Sequence, residues 1–434
     1  MSGGMLKNIF VVGSSHAFIY ANTFLRGVFL ARILGPHDYG LALILISITG
    51  ALDLFADAGI DRFVVQSRFG HRSDLMRTAH AFRVGGSAVV GLAIVLLSYP
   101  VSRAFDAPEL WLPIALTGGI VTIRGFVNLS YKLQQREHRF GREAGIQATI
   151  YTVELLATTL VALWTKSYWA VLVGAYLNAI TQIVLSHMLA NGKYSFIPRG
   201  KLVGLVSRFS LPIYMNAALL LASAQGDRLV IAASFSKTQL AFYAAASAIG
   251  AGVTGLAGSM TMNIMLPRLA PRDGGPGLSR RHINQITALF IGGSLVFLAA
   301  ITLAGPTLVG LLYGPAFVGL GTLVFAAAIA QMIQLEQSWL TTLLMANGLT
   351  ARFPMITIMR AAAFPTALVL VSLGFSILAV PLAFAFGATL SLAVSYHAAS
   401  GLKLIDGRLI VVSFARVLLA SAAVLLLARS WAVA

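Results

Sequence analysis

Apolar segments long enough to cross a bilayer follow one another from Ile9 to Ala428, and that succession leaves few folds open to the chain. Inside hydrocarbon the backbone has no water to bond to, so a spanning helix of about 20 predominantly apolar residues must satisfy its own polar groups. Spans are expected near 9–34, 40–67, 77–100, 108–134, 143–165, 167–190, 207–234, 239–266, 284–312, 316–346, 353–375, 377–400 and 408–428. The predicted fold class is an all-α polytopic membrane protein of about 12–13 transmembrane helices. Composition agrees: 10% of residues are charged and 58% hydrophobic, mean hydropathy is +0.84, and soluble domains carry about 25% charged residues. The longest gaps between spans, 191–206 and 267–283, are too short for a soluble domain. The first segment lacks a small-residue cleavage site and contains Asn22, Arg26 and Arg32, so it is expected to stay in the mature protein rather than act as a signal peptide. With no cysteine, disulfides and thiolate sites are excluded.

Basic residues alternate between loops. Arg68, Arg72 and Arg77 follow the second span, Lys132, Arg136, Arg139 and Arg142 the fourth, Lys193, Arg199 and Lys201 the sixth, and Arg268, Arg272, Arg280 and Arg281 the eighth. These loops, and the N-terminus with Lys7, are expected on the cytoplasmic side. The opposite loops hold Arg103, Lys166 and Lys237, with Asp38, Asp106 and Glu109 among them. The topology signal accounts for much of the net charge of +17, and no nucleic-acid partner is predicted.

The chain also reads as two copies of one plan. A shift of 201 positions lays Arg26–Gly40 over Asp227–Ala241, and a shift near 212 lays the helix of Arg124 over that of Glu336 and Gln337. Six spans per copy give the copies one orientation, related by an axis along the membrane normal. The expected organisation is a six-helix bundle over 1–190, a second over 207–400, a central cavity between them and an extra helix over 408–428.

The opening run over residues 26–66, RGVFLARILGPHDYGLALILISITGALDLFADAGIDRFVVQ, with LQQREHRF at 133–140, resembles Wzx-type polysaccharide flippases. Their superfamily also holds multidrug exporters and the lipid II flippase. The resemblance implies a carrier rather than an enzyme. Its substrate would be an undecaprenyl-diphosphate-linked oligosaccharide, moved by alternating access from the inner to the outer face of the bacterial cytoplasmic membrane. Polysaccharide assembly proteins would be its partners. Relatives commonly have twelve or fourteen helices, and thirteen segments are counted here.

Ionisable side chains at helix centres insert at a cost of about 2.5–3.5 kcal/mol, so they normally face a watery path or a partner. Arg26 lies eight residues below the outer end of the first span, about 12 Å at 1.5 Å per residue. Ser15, Asn22 and Arg26 share one helical face, and Gly50, Asp53 and Asp57 form a stripe on the next span. For a diphosphate, arginine offers a permanently charged fork of donors, which makes Arg26, Arg124 and Arg228 candidate anion clamps, with Asn22 beside them. The alternative is that Arg26 pairs with Asp53, and Arg228 with Asp227 or an outer headgroup, to hold helices together. Arg32, Arg83, Arg360 and Arg416 are expected to snorkel from span ends. Asp53, Asp57, Glu154 and Glu336 are candidate ion-coupling groups, with His16 a weaker one; the coupling ion is H+ or Na+. In the run Gln331, Gln334, Glu336, Gln337, Ser338, Thr341 and Thr342, Gln334 and Gln337 are candidate contacts to sugar hydroxyls, and the alternative is bonding across helices. Gly118, Gly119, Gly250, Gly252, Gly255 and Gly258 are expected to serve close packing or bending.

No Walker A sequence, His-Glu-x-x-His or nucleophile elbow is present, and no cofactor or metal site is predicted. A cation-coupled multidrug exporter is the first competing reading, but such a carrier wants acidic residues without surplus arginine. A membrane-embedded glycan polymerase or ligase would ordinarily need a large outer loop, and none is long here.

Overall fold

The computed structural model describes residues 3–432 apart from 58, 68–71, 138–140, 191–193, 198–199, 270–278 and 402–403. The described residues are helical with short connections, and contain no strand. Nine helical segments among them are long and apolar enough to span a membrane. The chain separates into two compact units, Met1–Leu221 and Ala222–Ala434.

The first unit contains α1 (Gly3–Asp57), α2 (Ile60–Gln66), α3 (Ser73–Ala104), α4 (Trp111–Arg124), α5 (Gly141–Thr165), α6 (Trp169–Met188) and most of α7 (Gly200–Ala224). The 55-residue α1 is two spans in one element, broken at Gly35, whose φ of 76° and ψ of 172° suit only glycine. Pro36 follows, with its fixed φ and missing N–H, and starts the second arm without loss of a helical hydrogen bond. The break falls in the expected turn. In the α3–α4 pair, a Cβ added to Gly118 would lie 2.5 Å from the carbonyl oxygen of Gly91, and one on Gly91 2.5 Å from that of Gly118. The two backbones touch, as small residues allow between membrane helices.

The fourth expected span does not run to residue 134. Helix α4 stops at Arg124 and a 3₁₀ segment follows at Leu129–Glu137. Side chains from other helices satisfy the freed amides: Asn128 N–H donates to Ser186 Oγ at 3.0 Å and Leu129 N–H to His80 Nε2 at 3.0 Å. The chain can therefore leave the helix without orphaned donors. Because His80 Nε2 accepts from an amide, it carries no proton, and Nδ1 faces the Ser195 carbonyl at 3.2 Å. His80 is thus a neutral, fully buried bolt between α3 and two connecting segments.

The second unit contains α8 (Gly226–Ser234), α9 (Lys237–Leu269), α10 (Arg280–Tyr313), α11 (Gly321–Ala346), α12 (Phe353–Ala361), α13 (Ala363–Ser372), α14 (Ala379–Gly401) and α15 (Gly407–Ala432). Two expected spans are interrupted: 207–234 at Gln225, between α7 and α8, and 353–375 at Ala362, between α12 and α13. Helix α11 packs against α9, α10, α14 and α15 and is buried on most of its circumference. A helix so placed must pair its polar groups with its neighbours.

Candidate functional site

Four helices of the first unit bring a polar cluster together. Arg26 of α1 forms an ion pair with Glu154 of α5. The second carboxylate oxygen of Glu154 accepts from Asn178 Nδ2 of α6 at 2.7 Å. Asn178 Oδ1 in turn accepts from Arg124 Nη2, at the end of α4, at 3.1 Å. The side chains of Arg26 and Glu154 are only 14% and 11% exposed. A Cβ at Gly174 would collide with Thr158, so α5 and α6 approach closely enough for Glu154 to reach Asn178. Two guanidiniums thus converge on the Glu154–Asn178 pair, Arg26 directly and Arg124 through the amide. The two guanidiniums offer planar donor forks of the kind that bind phosphate or carboxylate oxygens.

Arg26 therefore has a carboxylate partner on α5. The side chains of Asp53 and Asp57 lie outside the described residues. Asn22, one turn before Arg26, is buried and donates to the Phe18 carbonyl at 2.9 Å. His16 is exposed. Asn178 belongs to the cluster and was not anticipated. An amide within an apolar span was the signal for it, since a buried amide needs partners.

In the second unit Glu336 is fully enclosed. It pairs with Arg416 of α15 and accepts hydrogen bonds from Tyr396 of α14 and from Ser413 Oγ, the latter at 2.7 Å. Arg416 is also buried and donates to the Ile291 carbonyl at 3.1 Å, to Ser294 and to the Ser413 carbonyl. This corrects the expectation that Arg416 snorkels. The same correction holds for Arg83, which is buried and pairs with Asp61. In both cases a carboxylate distant in sequence makes burial tolerable.

The polar run on α11 divides between two faces. Gln331 donates to the Ser247 carbonyl at 2.8 Å and Gln337 to Ser395 Oγ at 2.7 Å, both across helices. Gln334, Ser338 and Thr341 lie three or four residues apart on a half-buried face. The Gln334 amide forms no hydrogen bond with a described residue. Beside Arg228, the Asp227 carboxylate accepts from the Arg228 backbone N–H at 2.8 Å and from Tyr243 Oη at 2.6 Å. The Arg228 guanidinium forms no ion pair with a described residue.

Past the end of α4, in the 3₁₀ segment Leu129–Glu137, Lys132 Nζ lies 2.5 Å from Glu143 Oε1 and 3.7 Å from Asp61 Oδ2. Burial disfavours its charge, but Tyr131, Asp61 and Glu143 outweigh burial and hold the ammonium above its usual range.

A family model described as "Polysaccharide biosynthesis protein" matches residues 29–320. The chain belongs to this family. The match contains Arg124, Glu154, Asn178 and Arg228, and Arg26 lies just before it. Among curated proteins the family member is similar to the succinoglycan biosynthesis transport protein ExoT of Rhizobium meliloti (strain 1021), at 21% identity over 243 residues. That alignment covers 55% of this chain and 48% of the relative, so it spans about half the relative's length. Among solved structures it resembles the lipid II flippase MurJ in an inward closed conformation, with a TM-score of 0.71 and 14% identity, over 96% of this chain and 97% of MurJ. It also resembles an inward-facing multidrug resistance MATE family transporter of the MOP superfamily. That TM-score is 0.64, again at 14% identity, over 91% of this chain and 96% of the transporter. Identities this low show the fold alone. Family and fold together bear out the resemblance to Wzx-type flippases and make this polysaccharide biosynthesis family member a multi-pass membrane protein.

Proposed function

We propose that the protein moves an undecaprenyl-diphosphate-linked oligosaccharide from the inner to the outer face of the bacterial cytoplasmic membrane by alternating access, for surface polysaccharide assembly. The observation that carries this reading is the buried cluster of Arg26, Glu154, Asn178 and Arg124, which sets two guanidinium forks around one carboxylate–amide pair. Glu154 occupies Arg26 directly and Arg124 through Asn178. A diphosphate offers more charge and more acceptor oxygens than one carboxylate, so it displaces Glu154 from the two guanidinium forks. Freed of its arginine, Glu154 is the carboxylate that can take up H+ or Na+. Re-formation of the Glu154–Arg26 pair on the outer side then releases the substrate.

In this reading Glu154 is the coupling carboxylate, and Asp53 and Asp57 are the alternative ion sites on the second arm of α1. Asn22 holds the face of α1 that presents Arg26. Arg228 adds a second anion contact, and Gln334 meets sugar hydroxyls from the half-buried face of α11. Glu336 and Gln337 hold helices together, because their partners come from within the unit. Assembly enzymes that build and polymerise the repeat unit are the expected partners.

The test is the sidedness of the lipid-linked glycan in cells lacking the protein. Glycan should accumulate on the cytoplasmic face and be cleared by wild type, but not by Arg26→Ala or Arg124→Ala at matched expression. Full clearance by both arginine variants, or unchanged sidedness with altered drug tolerance in the deletion strain, refutes the reading.

A further inference from the structure

An open recess of about 620 Å³ lies in the second unit where α10 and α15 begin, remote in sequence from the arginine cluster of the first unit. Its wall carries Arg280, Arg281, Asn284, Asp406 and Arg408, and Leu409 supplies an apolar floor. Asp406, the acidic member of this lining, is already engaged. It accepts from Arg280 Nη2 at 2.5 Å and from Asn284 Nδ2 at 2.8 Å, and its own N–H donates to Asn284 Oδ1 at 3.1 Å. These bonds join the segment before α15 to the first turn of α10, 122 residues away, and set the shape of the recess before any ligand enters. Arg281 and Arg408 are exposed and form no ion pair with another described residue. Three guanidiniums against one carboxylate leave two positive charges, and they belong to the two arginines that Asp406 does not hold.

We propose that this recess binds the phosphate of an anionic phospholipid headgroup, with Arg281 and Arg408 as donors and the Arg280–Asp406–Asn284 clamp as a fixed wall. A headgroup phosphate and a free phosphate share the chemistry of the arginine forks. Two features select the lipid. The recess opens at the ends of two spans, Arg280–Tyr313 and Gly407–Val424, and therefore at headgroup level. Leu409 of the lining opens the apolar run 409–412 of α15, whose Val411 and Val412 are exposed and suit the start of an acyl chain. Basic loops mark this end as cytoplasmic, where the leaflet carries anionic lipid and basic pockets between helices collect it.

The test uses the full-length protein in detergent, with phosphatidylglycerol or phosphatidylcholine added and retained lipid counted by native mass spectrometry. Phosphatidylglycerol should be retained in preference. Arg281→Ala with Arg408→Ala should weaken it about thirtyfold, from the ordinary contribution of a basic residue at an anionic surface taken twice. Arg281→Lys with Arg408→Lys should recover most of the loss, and Arg103→Ala, at an exposed arginine of the first unit, should change nothing. Thermal unfolding in phosphatidylcholine, unchanged by these surface substitutions, shows that the variants are folded. Equal retention of the two lipids, or undiminished phosphatidylglycerol binding by the double alanine variant, overturns the site. Thermal protection by inorganic phosphate that equals protection by phosphatidylglycerol and needs the same arginines overturns the lipid assignment and makes this a free-phosphate site.

Discussion

Truncating Arg416 to alanine should destabilise the second unit by about 3–5 kcal/mol, the usual consequence of leaving one member of a buried ion pair unpaired. The structure argues for the upper part of that range. Glu336 is fully enclosed, so water cannot replace the guanidinium, and Tyr396 and Ser413 supply only neutral donors. The same truncation also frees the Ile291 and Ser413 carbonyls, which accept from Arg416 at 3.1 and 3.3 Å. Tyr396→Phe removes one hydrogen bond to a charged group and should cost about 1.5–3 kcal/mol. The double change Glu336→Leu with Arg416→Met removes both charges while keeping volume, and should return to within about 1 kcal/mol of wild type. Stability would be read in detergent by equilibrium unfolding, using the emission of Trp339. That side chain is fully buried on the same helix as Glu336, stacks on Phe290 and donates to Thr287. The decisive quantity is the coupling energy of the double-mutant cycle. A single-variant loss below about 1 kcal/mol, or a double variant showing the plain sum of two large losses, would refute the reasoning that burial makes each charge depend on the other. The stable double variant also checks the structural role given to Glu336, since it should retain transport.

The α3–α4 contact predicts that Gly118→Ala destabilises by about 1–3 kcal/mol, because the new Cβ meets the Gly91 carbonyl, a backbone atom that cannot swing away. Gly293→Ala, with nothing within 4 Å, should be neutral or slightly stabilising; equal effects of the two in the same thermal assay would contradict close packing. Lys132→Met should lose about 1.5–3 kcal/mol from the contacts to Glu143 and Asp61. Since the folded ammonium is held above its unfolded value near 10.4, its contribution is complete below that pH and fades as pH rises through the folded value. The stability difference between wild type and Lys132→Met should therefore be flat from about pH 6 to 9. A difference that closes within that range would contradict the raised ammonium.

The fold class was legible along the chain because the bilayer acts locally. Each span must satisfy its own backbone, so the apolar run that makes a helix is contiguous in sequence, and the turn at Gly35-Pro36 carries its own chemistry. The importance of Arg26, Arg124, Glu154 and Glu336 was legible for a related reason: a charge within an apolar segment has to be accounted for wherever it lies. Their partners were not. Arg26 meets Glu154 across 128 positions and Arg416 meets Glu336 across 80, and neither separation leaves a periodic trace. Only tertiary packing decided that Arg83 and Arg416 are buried instead of snorkelling, and that Asn178 links Arg124 to Glu154. It also decided that α4 ends at Arg124, where His80 and Ser186 receive the amides a longer helix would have used. Which side chains would need partners could be read along the chain, because desolvation is a property of the segment that carries them. Which partner each one found depended on helix crossings, where side chains far apart in the chain come within hydrogen-bond reach.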